Sequence, residues 1–361
     1  MNTRKASKFS QFVAAGAALA GLIAPSQLRA DVEILISGGN ASSSVLFDRA
    51  TNLFGGTFTS TAGLSSSTVR TYAGSLPGLG TVTLDFVLNG AVGGLLDISQ
   101  GNPETAANGH SLVPTVVDSS TSPDVVGVDP TQFSPPLPTY AVPYVFIKNA
   151  SSADTAGITN LTQRQAALLE SAGATIPATF FGGGSTNVIY FVGRNKDSAV
   201  RTEIDLTIQA NGFQTYTTNG AGQIVQDTTG IDQEGNVDPG QVSGSTVTAL
   251  VKTYITNAIG TIAVQNLKSG VTPLAYEGIS YSTNAVQNGS YPLWGYENYY
   301  YLKSLTDANQ LAVIYALYQT VTNSTFQSGS NPVFGSNFVP LPALKVSRNA
   351  DGGPILPNPG Y

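Results

Sequence analysis

The chain of 361 residues has no cysteine, a single histidine, a single methionine and a single tryptophan, and only 11% of it is charged. Without cysteine there are no disulfides, no thiolate nucleophiles and no cysteine-ligated metal clusters. The lone His110 excludes multi-histidine metal sites and is the only imidazole a Ser-His-Asp triad could use. It lies in a polar NGHS stretch and reads as an exposed side chain. Average soluble proteins are about 25% charged, so this chain is charge-poor. Its 16 Lys and Arg against 22 Asp and Glu leave a net charge of −6. That balance argues against the broad basic face a nucleic-acid partner requires. GxSxG, P-loop and HExxH patterns are absent. In their place stand 39 Gly, 20 Pro, 16 Tyr and a hydrophobic fraction of 41%. That apolar content supports two domains or one large two-lobed unit, with a composition closer to exported proteins than to cytosolic enzymes.

The amino terminus reads as a secretory signal peptide over residues 1–30. Arg4, Lys5 and Lys8 precede the apolar run 12–24 (FVAAGAALAGLIA), and Leu28-Arg29-Ala30 offers a cleavage site before Asp31. Thirteen apolar residues are too few to span a bilayer, although an uncleaved anchor is the alternative reading. No cysteine follows the run, which excludes a lipid-anchored mature form. Cleavage would remove four positive charges and no acid. A soluble protein, periplasmic or secreted, is expected.

Along the rest of the chain, strand and helix signals alternate, which indicates an α/β protein. Residues 33–37, 81–88, 144–148, 187–192, 259–264 and 279–281 read as strands. Residues 45–54, 162–172, 199–210, 247–257 and 306–321 carry helical spacing. Thr162 and Gln165 form a capping box with Gly173 as stop. Thr306 or Asp307 caps the last helix, whose expected apolar stripe is Leu311, Ile314, Tyr315, Tyr318 and Val321. Residues 88–94 read as a Gly-rich bend, 99–140 as a long loop with short strands, and 214–245 as a polar surface excursion. Tyr291, Trp294, Tyr296, Tyr299, Tyr300 and Tyr301 suit either a sugar-stacking surface or core packing.

Two strand–loop–helix junctions place hydroxyls at a helix start, Ser42-Ser43 and Ser198, where free backbone N–H groups and the helix dipole favour anions. Arg194 and Arg201 flank the second junction. A cation there opposes the helix dipole, so the pair makes better sense with an anion between them, which guanidinium groups bind bidentately. The competing reading makes Ser198 an ordinary cap and pairs Arg194 with Asp197 or Asp205. Ser119 to Ser122 with Asp118 suit a third polar cluster or a plain turn before Pro123.

Four segments in order, ISGGNASS (36–43), LNGAVGG (88–94), VGRNKDSAVRTE (192–203) and NGSYPLWGYENYYYL (288–302), carry a resemblance. The chain resembles the periplasmic phosphate-binding proteins of ABC importers and the secreted DING-type phosphate binders, of the type II periplasmic binding protein superfamily. The resemblance covers nearly all of residues 31–345. It implies a two-lobed periplasmic-binding-protein-like (type II) α/β fold, with a mixed sheet in each lobe and an interlobe cleft. Residues 31–143 and 291–361 would form lobe 1, and 144–290 lobe 2. It further implies a solute-binding protein, not an enzyme, that captures a tetrahedral oxyanion, phosphate first, with no cofactor or metal. An ABC permease would be its partner, unless it scavenges, and the chain would be a monomer. Ser42, Ser43, Ser120, Thr121, Arg194, Ser198 and Arg201 are the implied ligand-binding residues, with Arg194 serving the ligand rather than the core. The chain departs from the family's pattern at Ala91, Ala199, Val200 and Thr121. An exported structural or adhesive protein on a degenerate binding-protein scaffold is the alternative. A secreted phosphatase would need a metal cluster or nucleophile–base pair that is not visible.

Overall fold

The computed structural model describes residues 31–63, 68–231, 237–328, 331, 333–335 and 337–358. The signal-peptide expectation falls on residues 1–30, outside the described residues.

Thirteen strands and seven helices position the site. The strands are β1 (Val32–Gly38), β2 (Phe58–Ala62), β3 (Val69–Leu76), β4 (Gly80–Val87), β5 (Val116–Ser119), β6 (Leu137–Asn149), β7 (Tyr190–Val192), β8 (Ala258–Ala263), β9 (Val271–Pro273), β10 (Trp294–Tyr300), β11 (Val339–Pro340), β12 (Val346–Ser347) and β13 (Leu356–Pro357). The helices are α1 (Ser43–Leu53), α2 (Ala91–Gln100), α3 (Gln163–Ala172), α4 (Ala199–Ile208), α5 (Gly244–Ala249), α6 (Thr283–Gln287) and α7 (Ala308–Val321).

One mixed sheet runs β7-β8-β6-β10-β5-β1-β4-β3-β2, with β9 and β11 also paired to β6. The long β6 belongs to both halves of this two-lobed α/β fold. Residues up to Pro143 pair with β10, and residues from Tyr144 onward pair with β8. Proline has no N–H to give a ladder, and Pro143 sits where the partner strand changes. Parallel pairs β1–β4, β1–β5 and β7–β8 send their carboxyl ends toward one region. Open α/β sheets bind ligands beyond the carboxyl ends of such strands.

Local chemistry accounts for the best-matched elements. Both arms of the α3 capping box are present, and the Asp307 side chain accepts from the N–H groups of Asn309 and Gln310 to start α7. The buried face of α7 is Val313, Ile314, Leu317 and Val321, whereas Tyr315 is exposed. The expected stripe is therefore turned by part of a turn, because the larger aromatic side chains ride at its edge. The Gly-rich bend is instead the start of α2. Gly94 is tolerated there because the helix lies close on the sheet: a Cβ on Gly94 would stand 2.5 Å from Ser37 Oγ. Residues 279–281 make one isolated bridge, Tyr276 to Ile279, rather than a strand. In 247–257 a short α5 passes into a π-helical turn at Leu250–Tyr254. The aromatic run is core: Tyr291, Trp294, Tyr299, Tyr300 and Tyr301 are buried, which removes the sugar-stacking alternative. Among the described residues no helix is long and apolar enough to cross a membrane.

Candidate functional site

The carboxyl ends of β1, β4, β5 and β7 lead into one narrow recess. Gly39, Asn40 and Ala41 line it after β1, Gly90 and Ala91 after β4, and Ser120 after β5. Arg194 and Ser198 to Val200 line it after β7, and Glu297 of β10 closes the wall. Three helix starts thus converge: the 3-10 turn leading into α1, α2, and α4. Each presents N–H groups without intrahelical acceptors and the positive end of a dipole. The two sides already touch, since the Val92 N–H of α2 donates to Asp197 O before α4 (3.1 Å).

Arg194 is buried. Its Nε donates to Gln241 O (2.9 Å) and its Nη2 to Val242 O (3.1 Å). Burial lowers its pKa to about 10, which leaves it a cation at neutral pH. Nη1 has no hydrogen-bond partner among the described residues, so one arm of the fork remains for the recess. Ser198 stands at the N-cap of α4, yet its hydroxyl makes no capping bond. The hydroxyl is held at the recess wall with its hydrogen-bonding capacity unspent.

Behind the wall lies a buried acid pair. Glu297 adjoins Asp118 at an irregularity in the β10–β6 register. Such irregularities re-aim side chains and cluster beside sites. Burial pushes the Asp118 carboxyl up to about 7. Burial and the neighbouring Asp118 hold Glu297 well above the usual carboxylate range. At neutral pH Glu297 therefore presents an uncharged carboxyl, and Arg194 brings a positive charge to the recess.

The structure brings Ser120, Arg194 and Ser198 together and places four other expected residues elsewhere. Ser42 is fully buried, with its Oγ against Asp118 Oδ2 and 2.9 Å from Gly39 O. Those acceptors lie within its reach, so the hydroxyl turns inward. The Ser43 N–H is spent on Asn40 O, because a 3-10 turn precedes α1 and shifts the free N–H groups back toward Asn40 and Ala41. Thr121 is buried beside the recess, its carbonyl accepting from Ser119 Oγ (2.8 Å). Arg201 lies over the Phe213 ring (3.4 Å), donates through Nη1 to Asp238 Oδ1 (3.2 Å) and pairs with Asp205. Its guanidinium holds the 214–245 excursion, not a ligand. That excursion also supplies both carbonyls that anchor Arg194, so Arg194 serves the core as well as the recess. Asp205 pairs with Arg201 instead, while the nearby Asp197 charge acts on Arg194 and favours its charged form.

Glu297 escaped sequence reasoning, although a single acid in a strand of aromatics (WGYENYY) is a signal in itself. His110 is exposed and bonds Glu33 at 2.7 Å.

No family model matches the chain, and no curated protein matches it by sequence. Among solved structures, one described as a phosphate ABC transporter substrate-binding protein with bound phosphate, from Clostridium perfringens, is similar over 86% of this chain and 99% of its own. The TM-score is 0.56 at 14% identity. An ABC-type phosphate transport receptor from Vibrio cholerae has a TM-score of 0.48 at 15% identity, covering 79% of this chain and 93% of that one. A DING protein has 0.46 at 12% identity, covering 86% and 91%. The first likeness establishes the fold class: this is the two-lobed architecture of a periplasmic substrate-binding protein. That fold is the one its sequence resemblance implied.

Proposed function

We propose that this chain is an exported solute-binding protein that captures a tetrahedral oxyanion, phosphate first, in the recess and closes two lobes around it. Residues 31–143 with 291–361 form one lobe and 144–290 the other. The observation that carries the reading is the convergence of three helix starts with Arg194 Nη1 and the uncapped Ser198 hydroxyl. All are hydrogen-bond donors, and together they suit a compact anion. Glu297 as a neutral carboxyl adds a further donor and no repulsion. Delivery to an ABC permease from the periplasm, or scavenging outside the cell, is the role this reading assigns to the captured anion, supported by the transporter substrate-binding protein whose fold it shares. No reaction is involved, because closure alone performs the capture.

The test is a thermal-shift panel of phosphate, sulfate, arsenate and nitrate on the purified protein. A ligand at a hundred times its Kd adds about 2.7 kcal/mol of stability, a shift readily seen. A second reading, a structural or adhesive protein on this scaffold, is favoured by Ser42 and Ser43 being turned away from the recess and by two arms of Arg194 being spent on carbonyls. Stabilisation by no anion in the panel would select it.

A further inference from the structure

The C-terminal tail makes contacts that the binding reading leaves unexplained. After β12 the chain loops out and returns as β13, and the base of this hairpin is sewn by Asn358, whose Nδ2 donates to Leu344 O and Val346 O. At the tip of the loop, Asp351 Oδ2 accepts from both the N–H (2.6 Å) and the Oγ (2.7 Å) of Ser122. Ser122 ends the turn that carries Ser120 into the recess, 229 residues away in sequence. The next residue, Gly352, has φ +62° and lies flat on α4, the helix whose first turn forms the opposite wall. A Cβ there would stand 2.5 Å from Leu206 Cβ. Arg348, at the other end of the loop, donates to Pro292 O and lies over the Trp294 ring at 4.8 Å. Two successive tail residues therefore touch the elements behind two different walls.

We propose that Asp351 is a positioning residue for the recess. The tail loop braces the Ser120 turn against α4, so that the Ser120 and Ser198 hydroxyls stand at a separation one small anion can bridge. A carboxylate oxygen suits the task because it accepts from two donors at once, and charge-assisted bonds are the shorter and stronger kind. Glycine suits the following position because a side chain would push the loop off α4. The inference rests on the reading of the recess as an oxyanion site. The brace itself can be read without a ligand.

The experiment combines hydrogen exchange by mass spectrometry with calorimetric phosphate titration on wild type, Asp351→Ala, Asp351→Asn and Gly352→Ala. Asparagine keeps an oxygen that can accept from both Ser122 donors, so it separates the bonds from the charge. Expected in Asp351→Ala are faster exchange over residues 119–124 and phosphate affinity lower by about two- to thirtyfold, the range for a residue that acts through its neighbours. Asp351→Asn should restore both, and Gly352→Ala should speed exchange over 202–208 and weaken phosphate. Unchanged affinity in Asp351→Ala despite faster exchange overturns the positioning role, as does an Asn variant that behaves like Ala. If wild type binds neither phosphate nor sulfate, the oxyanion reading fails, and exchange alone then judges the brace. Unaltered exchange in Asp351→Ala refutes it, and faster exchange rescued by Asn upholds it.

Discussion

Stability should fall as pH rises from 5 to 8, because several buried carboxyls hold protons in the fold that the unfolded chain releases. Glu104 is buried, accepts from Ser37 Oγ at 2.6 Å and is pushed up to about 8 by burial. Asp118 is pushed up to about 7, also by burial. In the unfolded chain both ionise near pH 4. Between about pH 4 and each folded value the native state binds more protons than the unfolded one, so stability declines with pH across that window. Their contribution is fully present below pH 4 and is lost as the pH passes 7 and then 8. Each pH decade above 5 before the group ionises costs about 1.4 kcal/mol, which gives about 4 kcal/mol for Glu104 and about 3 for Asp118. Asp97 and Glu297 adjoin these groups, and shared protons make the two losses less than additive. A net loss of several kcal/mol corresponds to a Tm lower by on the order of 10 °C. Scanning calorimetry from pH 5 to 8 measures it. Glu104→Gln keeps an acceptor for Ser37 but cannot ionise, so its slope should be about half as steep. A wild-type Tm that is flat or rising over this range would refute the reasoning. An unchanged slope in Glu104→Gln would clear Glu104 of its part.

Arg194→Ala should lose about 2–4 kcal/mol in denaturant unfolding, because the Gln241 and Val242 carbonyls lose charged donors, and phosphate affinity in calorimetry should drop at least about tenfold. Stability equal to wild type would contradict the anchoring, and equal affinity would remove Arg194 from the site. Ser198→Ala removes no cap bond, so unfolding should stay within about 0.5 kcal/mol of wild type while affinity falls severalfold; a loss of a full cap's worth of stability would show the hydroxyl is not free. Wild-type affinity for phosphate should weaken above about pH 7 as Asp118 acquires charge behind the recess, and Asp118→Asn should flatten that dependence in titrations at pH 6.5 and 8.5. N-terminal sequencing of exported protein should find a chain beginning near Asp31, and one that begins at Met1 would contradict the signal peptide.

Sequence alone determined what depends on neighbours along the chain. The capping box at Thr162 and Gln165 and the Asp307 cap are local hydrogen bonds, and they appear where the residues predict. The resemblance carried by the Gly-rich turns and the Gly-Arg segment, taken in order, implied the two-lobed α/β class. Arg194 and Ser198 stood out from their setting at a helix start, whereas Ser120 entered only through the family resemblance.

Tertiary structure decided the rest, because a polar side chain goes to whichever partner lies nearest in space. Ser42 turned inward because Asp118, far along the chain, comes to rest beneath it. Arg201 turned outward from the recess because Asp238 and Phe213 fold over α4. Gly94 became helical because the sheet needs that helix close, a demand no propensity scale contains. Glu297 came to the recess wall, and Asp351 to Ser122, only once strands distant in sequence had paired. Long-range pairing is set by burial of the whole core rather than by local pattern, and it brought these partners together.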